Sequence, residues 1–328
     1  MDVSRKGFLA STAAAAAVSA GAPSLVEASP ASTTGLTLTT LRDGNTDHLG
    51  IRTNAGIIDV ARAGHALGIN TLPKTVDDVV CGRGTISALH RIVAHPPQSA
   101  LRSETSVQYG PLVSHPEKIL CVGLNYRAHL AETNMKPQPY PDLFNKYNTS
   151  LNRHNGTIAV SALPLTEFDY ESEMVAIIGK EARNVSEADA LSCVFGYACG
   201  NDFSARDAQL RVSQWMTGKT PDQFAPLGPW LVTADQIPDP QTLQIQTFVN
   251  DETTPRQDMN TSEMIFSTAK IVSYMSEFIT LRPGDVIYTG TPSGVILGYP
   301  KDKQVWLKAG DRITTRISKL GELKFTLV

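Results

Sequence analysis

The sequence predicts a strand-rich α+β fold, on three observations. Short alternating apolar runs separated by polar turns begin at Leu36 and recur to the C-terminus. Strands outnumber helical runs. The two do not alternate in the regular way a doubly wound parallel sheet requires. The chain has 328 residues, 41% hydrophobic and 19% charged, an ordinary globular balance that suits one large core with a smaller module beside it.

The chain divides into residues 1–35, 36–113 and 114–328. In the first part Ser4-Arg5-Lys6-Gly7-Phe8-Leu9 precedes an alanine-rich run to Ala22. A short positive region before a weakly apolar run is a secretory pattern. It is similar to a twin-arginine export signal with lysine in place of the second arginine. Val26-Glu27-Ala28 offers a cleavage site, a better one than Ala20-Gly21-Ala22, which Pro23 follows. Export to the periplasm is the expectation, and an alanine-rich leader on a cytoplasmic protein is the alternative. Residues 23–35, rich in Ser, Thr, Ala and Pro, read as a tether.

From Leu36 to Val113 the pattern is a small α/β module. Leu36–Leu41 alternates, Asp43-Gly44-Asn45 turns, and His48–Val60 reads as further strand with a turn near Asn54. Asp77–Val80 and Ile86–Val93 read as helices. The module shows no acid, base or ligand cluster in sequence, and Pro96-Pro97 and Pro111 mark its end.

In residues 114–328, Ile119–Val122, Met174–Ile178, Phe195–Cys199, Trp230–Thr233 and Val286–Thr289 read as strands. Ser186 and Asp189 form a capping-box pattern before a short helix. Met264, Ile265, Thr268, Ile271, Val272, Met275, Phe278 and Ile279 fall at helical spacing and predict one amphipathic helix, stopped by Arg282-Pro283-Gly284-Asp285. Gln304–Lys308 and Leu323–Leu327 read as an antiparallel hairpin.

Charge and cysteine content exclude several function classes. The net charge is −3, from 29 Lys+Arg against 32 Asp+Glu, so no basic surface for nucleic acid is implied. Four cysteines without CxxC spacing make neither a disulfide scaffold nor a zinc site. No run approaches the roughly 20 apolar residues that span a bilayer.

Chemistry gathers in residues 114–328. Glu171 and Glu173 sit two apart in Asp169-Tyr-Glu-Ser-Glu-Met-Val-Ala-Ile-Ile-Gly179, so on a strand they share a face with Val175 and Ile177. Two carboxylates aimed at an interior need protonation, a partner or a cation, and a hard divalent ion satisfies both. The spacing alone reads equally as two solvent-facing glutamates at a strand end. Asp202 follows the strand ending at Cys199, where Asn-Asp is also a common turn. His129 and Glu132 lie three apart, one helical face, as a general base and its orienting carboxylate would; a surface ion pair has the same spacing. Thr289-Gly-Thr291-Pro-Ser-Gly294 lets backbone amides approach a ligand, or is a tight turn; it lacks the lysine of a phosphate-binding loop.

Together, Gly123-Leu-Asn-Tyr-Arg-Ala-His-Leu-Ala-Glu132, Asp169-Tyr-Glu-Ser-Glu173, Asn201-Asp-Phe-Ser-Ala-Arg-Asp-Ala-Gln209, Gly218-Lys219, Pro226-Leu-Gly-Pro-Trp230 and Thr289-Gly-Thr-Pro-Ser-Gly-Val295 resemble the fumarylacetoacetate hydrolase family over about residues 115–328. The resemblance implies a mixed β-sandwich roll behind a small N-terminal α/β module, as a homodimer. It implies one Mg²⁺ or Mn²⁺ on Glu171, Glu173 and Asp202, with His129 and Glu132 as a lid dyad that activates water. Lys219 is implied at the reacting centre, and Tyr126, Arg206, Gln209, Gly290, Thr291 and Lys146 at the substrate. The implied substrate is a small 2-oxo acid, and the expected reaction is C–C hydrolysis of acylpyruvate-type 2,4-dioxo acids to pyruvate and a carboxylic acid. Oxaloacetate decarboxylation or isomerisation of a 2-oxo-diene-dioate on the same site is the alternative, and a non-catalytic 2-oxo acid binder is a third reading. Three positions depart from the family pattern. Tyr147 replaces a proline, Asn152-Arg153-His154 replaces small residues, and Ser213 stands where some hydrolytic members have tyrosine.

Overall fold

The structure, a computed structural model, describes residues 35–328. The export signal and all but the last residue of the tether lie outside the described residues.

Thr37–Asp43 and Thr46–Thr53 form a hairpin closed at Gly44, whose φ of 61° suits a residue without Cβ. Gly56–Asp59 adds a third strand. The strand expected to run through Val60 stops one residue earlier. The Asp59 side chain accepts the Arg62 N–H and caps the helix Val60–Leu67. Helices at Val76–Val80 and Ile86–Ala94 fall where the sequence places them, the first closed by a Thr75–Asp78 capping box.

These strands do not stand apart from the rest of the chain. Thr37–Asp43 pairs antiparallel with Leu231–Thr233, with Leu38 opposite Leu231. Among the described residues one sheet of 11 strands results. It continues from Leu231–Thr233 through Val194–Asn201, Ser172–Ile178, Val286–Tyr288 and Ile119–Gly123 to Asp142–Lys146. A second sheet of five strands contains Gln257–Asn260, Gln244–Val249, Arg312–Ile317, Gly321–Leu327 and Gly156–Ile158. Neither sheet closes on itself, so the fold is a strand-rich α+β arrangement of open sheets.

The strand Ser172–Ile178 is buried along its whole length, and its alternation divides the core. Met174, Ala176 and Ile178 pack with Ile245, Ile317 and Leu323 of the second sheet. Val175 and Ile177 pack on the opposite side with Leu38, Ile51 and Val76 of the N-terminal strands and helices. Both faces are therefore dry, as the sequence implies. Gly200, opposite Glu173, has no room for a side chain: a Cβ would lie 2.4 Å from Val175 and 2.7 Å from Tyr288.

Three expectations are corrected. The amphipathic helix is Thr268–Phe278, so Met264, Ile265 and Ile279 lie outside it. Ser267 caps it by accepting the Lys270 N–H, while the Ile265 N–H is already bonded to the Asn125 carbonyl. The C-terminal hairpin is Arg312–Ile317 with Gly321–Leu327, and Leu307 makes only a single bridge to Phe168. The N-terminal module does hold a cluster: the hairpin register gathers Asp43, His48 and Asp59. Arg62 and Arg102 already answer its charge, at 3.2 Å from Asp59 and 2.9 Å from Asp43.

Tyr109 joins the two parts of the chain, packing edge-on against Trp230 at 5.7 Å and His154 at 5.0 Å. His154 Nδ1 accepts the Lys324 N–H, which requires the neutral ring, and burial pushes its pKa down to about 4. The folded value lies below the unfolded one, so the unfolded chain takes up the proton first as pH falls. The His154 contribution therefore stands above pH 6.5 and is lost between pH 6.5 and 4. With solvent screening allowed for, it is worth about 2 kcal/mol. His154→Asn keeps an acceptor without the titration, and should reduce by about that amount the loss of urea stability between pH 7 and pH 4.5.

Candidate functional site

The site is assembled where two strand ends meet. Glu173 is the second residue of the buried strand Ser172–Ile178, and Glu171 sits immediately before that strand. The Asp202 N–H donates to the Glu171 carbonyl at 2.8 Å, and the Glu171 N–H to Asn201 Oδ1 at 3.2 Å. These bonds clip the end of Val194–Asn201 to the start of the glutamate strand. Glu171, Glu173 and Asp202 consequently bring carboxylate oxygens within 4.8 Å of one another, with all three residues buried. Of the two readings of Glu-x-Glu, the solvent-facing one is excluded.

Three buried carboxylates repel. Burial, with Asp202 and Glu171 alongside, holds Glu173 well above the ordinary carboxylate pKa. Glu171 is pushed up by burial too, but Lys219 and Arg206 outweigh that and hold it low. Lys219 Nζ donates to Glu171 Oε2 at 2.6 Å and to Asp202 Oδ2 at 2.8 Å. Arg206 Nη2 lies 2.7 Å from Glu171 Oε1 and 2.9 Å from Asp169 Oδ2, and its Nη1 donates to Gln209 Oε1 at 2.8 Å. A buried set of hard oxygen donors with one member resisting ionisation fits a divalent cation such as Mg²⁺ or Mn²⁺.

The helix Arg127–Glu132 places His129 in the lining of the cavity that Glu171 and Glu173 also face. His129 Nδ1 lies 2.7 Å from Glu132 Oε1, and the other Glu132 oxygen accepts the Gly294 N–H at 2.8 Å. His129, Glu171 and Glu173 line one cavity whose empty space, counting the part open to solvent, is about 480 Å³. Lys219, Arg206, Gln209 and Thr291 line it too. Apolar side chains of Leu124, Met135, Phe144 and Trp215 also line it.

Three residues expected at the substrate are placed elsewhere. The Lys146 side chain is fully buried, 2.5 Å from Asp202 Oδ1, and donates to the carbonyls of Phe203, Lys219 and Phe224. It stands behind the triad and not in the cavity lining, because its strand Asp142–Lys146 ends beside Asp202. The Gly290 N–H donates to Glu173 Oε2 at 2.7 Å, so it holds a carboxylate of the triad. The Tyr126 hydroxyl is buried without a partner, and burial with nearby Glu173 raises its pKa well above the usual phenol value. Thr291 lines the cavity while its hydroxyl donates to the Ser172 carbonyl at 3.0 Å.

Sequence reasoning missed Asp169, which accepts from the N–H groups of Ile296 and Leu297 and from Arg206 Nε. Its position two residues before Glu171 was the available signal. Trp215 was also missed: it packs against Phe144 at 5.5 Å and over Gly123, where a Cβ would lie 2.6 Å from the ring. At the departures from the family pattern, Tyr147 and Ser213 are exposed, while the Asn152 side chain turns inward to the Thr157 carbonyl at 3.0 Å.

Glu173→Gln replaces the member of the triad that resists ionisation with a permanently neutral amide. Without metal the variant should be more stable than the parent at pH 7.5, by ~1 kcal/mol. It should also lose the rise in thermal midpoint that Mg²⁺ or Mn²⁺ gives the parent, a pair of changes that thermal melts with and without EDTA read together.

A family model described as fumarylacetoacetate (FAA) hydrolase C-terminal matches residues 118–328. The human mitochondrial oxaloacetate tautomerase FAHD2A is 38% identical over 283 residues, 84% of this chain and 85% of that protein. A Dictyostelium discoideum fumarylacetoacetate hydrolase domain-containing protein 2 homolog is 44% identical over 219 residues, 63% of this chain and 70% of the relative. Among solved structures, fumarylacetoacetate hydrolase from Exiguobacterium antarcticum superposes with a TM-score of 0.73 at 28% identity, covering 89% of this chain and 99% of that one. Maleylpyruvate hydrolase from Sphingobium sp. SYK-6, in complex with manganese(II) and pyruvate, does so at 0.70 and 30% identity, covering 89% and 98%. A match over well over half of the chain, with these relatives and this fold, places the protein in the fumarylacetoacetate hydrolase family.

Proposed function

We propose that this chain is a divalent-metal-dependent enzyme that interconverts the keto and enol forms of oxaloacetate-type 2-oxo acids. The observation that carries the reading is one basic nitrogen held over the carboxylate triad. Glu132 takes the Nδ1 side of His129, which leaves Nε2 as the nitrogen for the cavity. Tautomerisation needs one proton lifted from C3 and returned to oxygen, or the reverse. The oxaloacetate tautomerases that match most of the chain support the same substrate class.

A divalent ion on Glu171, Glu173 and Asp202 would polarise the 2-oxo carbonyl and acidify the neighbouring C–H. The chain supplies the rest. His129 Nε2 accepts the C3 proton, and Glu132 stabilises the imidazolium that forms. The Lys219 ammonium offsets negative charge as it builds on the substrate oxygens. With its carbonyl oxygen on Arg206, Gln209 presents its amide N–H groups to a ligand oxygen.

A second reading is hydrolysis of an acylpyruvate, and the wall of Leu124, Phe144 and Trp215 favours it by suiting an acyl tail. There His129 would take a proton from water, the hydroxide would add to the distal acyl carbonyl, and the C–C bond would break with pyruvate leaving as its enolate and the acyl group as a carboxylic acid. A homodimer is the assembly proposed with either reading, which sedimentation of the mature chain measures.

Enol-oxaloacetate decay, followed by ultraviolet absorbance with Mg²⁺ or Mn²⁺, tests the first reading. Protein should accelerate it, EDTA should abolish the acceleration, and His129→Ala should slow it by ~10²-fold or more. No acceleration over buffer by the metal-loaded protein overturns it. Pyruvate release from acetylpyruvate, faster than oxaloacetate tautomerisation at equal concentration, would put hydrolysis first.

A further inference from the structure

The Glu132 carboxylate is fixed by more than His129. One oxygen meets His129 Nδ1 at 2.7 Å and the other accepts the Gly294 N–H at 2.8 Å. Beneath it lies Gly298, at the end of the turn Ile296–Gly298. A Cβ built on Gly298 would stand 2.5 Å from the Glu132 carboxyl carbon, 2.6 Å from its Cγ and 2.7 Å from Oε2. The carboxylate occupies the space a side chain at 298 would fill. We infer that Gly298 is a positioning residue for the His129–Glu132 pair, its missing side chain being the seat of the Glu132 carboxylate. The inference rests on the reading of that pair as the proton-transfer group.

The seat is rigid relative to the carboxylate triad. Asp169 accepts the N–H groups of Ile296 at 2.9 Å and Leu297 at 3.0 Å. The Tyr170 hydroxyl donates to the Gly294 carbonyl at 2.7 Å. Gln304 Nε2 donates to the Leu297 carbonyl at 2.9 Å. Asp169 and Tyr170 immediately precede Glu171, so two residues hold the loop and the next belongs to the triad. Glu132 docked on Gly298 is therefore measured against Glu171 through three consecutive residues of backbone.

Gly298 differs from its neighbour Gly294 in why it is a glycine. Gly294 has a φ of 104°, and a Cβ there would lie 2.0 Å from the Arg256 carbonyl, so any substitution strains the backbone. Gly298 is not among the residues with positive φ, and the three atoms nearest to a Cβ built there all belong to the far end of the Glu132 side chain. Alanine at 298 leaves the backbone at ease and displaces Glu132.

The experiment is a double-mutant cycle with Gly298→Ala and Glu132→Ala, measured on the metal-loaded protein with enol-oxaloacetate. Gly298→Ala alone should lower kcat by ~10- to 100-fold while KM, the thermal midpoint and Mn²⁺ affinity by calorimetry stay at the parent values. In the Glu132→Ala background the same change should alter kcat by less than about twofold. An equal loss in both backgrounds, or parent kcat in the single variant, overturns the inference. Parent kcat in Glu132→Ala itself is a different outcome: it removes the proton-transfer role of the pair, and the Gly298 inference with it.

Discussion

Three carboxylates held within 4.8 Å of one another in the protein interior are the constraint on which the surrounding structure depends. Buried charge is tolerated only when it is paired. Lys219, Arg206 and Lys146 supply three buried cations, on Glu171 and Asp202. Glu173 receives instead the Gly290 N–H, and it is the carboxyl whose pKa is raised. The pairing is uneven, and the uneven member marks where an added cation does most. Lys219 faces the cavity, whereas Lys146 is sealed behind Asp202, so one ammonium is placed to meet a ligand and the other to hold one carboxylate in place.

The second sheet serves this arrangement from behind. The Ser172 hydroxyl, between the two glutamates, meets Thr315 Oγ1 at 2.6 Å and Thr247 Oγ1 at 2.5 Å. Gln257 donates to Thr291 at 2.9 Å and accepts the Ser172 N–H at 3.0 Å. A buried hydroxyl and amide network thus crosses from one sheet to the other directly behind Glu171 and Glu173. Every member has a partner, the condition under which such a network rigidifies its surroundings. The loop bearing Thr291 and Gly294 is held by the same network, and it carries the amide that docks Glu132. The His129–Glu132 pair and the carboxylate triad are in this way parts of one scaffold.

The fold was legible where local chemistry decides. The Thr75–Asp78 and Ser186–Asp189 caps, the helices after them and the apolar alternation of Met174–Ile178 need only neighbours in sequence. It was illegible where a distant partner competed. Met264 and Ile265 continue the helical period, yet the Ile265 N–H is taken by the Asn125 carbonyl and Met264 is bridged to Tyr126, so the helix begins at Thr268. The Asp43–His48–Asp59 cluster likewise exists only through the register of three strands.

The sequence by itself determined the types and spacing of the chemical groups: two glutamates on one strand face, an aspartate at a strand end, and a histidine with a glutamate one helical turn on. Periodicity carries that information, because side-chain direction follows from backbone geometry within a few residues. Tertiary structure decided which groups face the cavity and which support them. Lys146, Gly290 and Tyr126 looked like ligands for a substrate, and long-range pairing turned the first two onto Asp202 and Glu173 and buried the third. Asp169 offered only its place two residues before Glu171, and Gly298 no local sign at all, since one acts through a loop more than a hundred residues away and the other through the atom it lacks. Both depend on contacts that close only when distant segments pack.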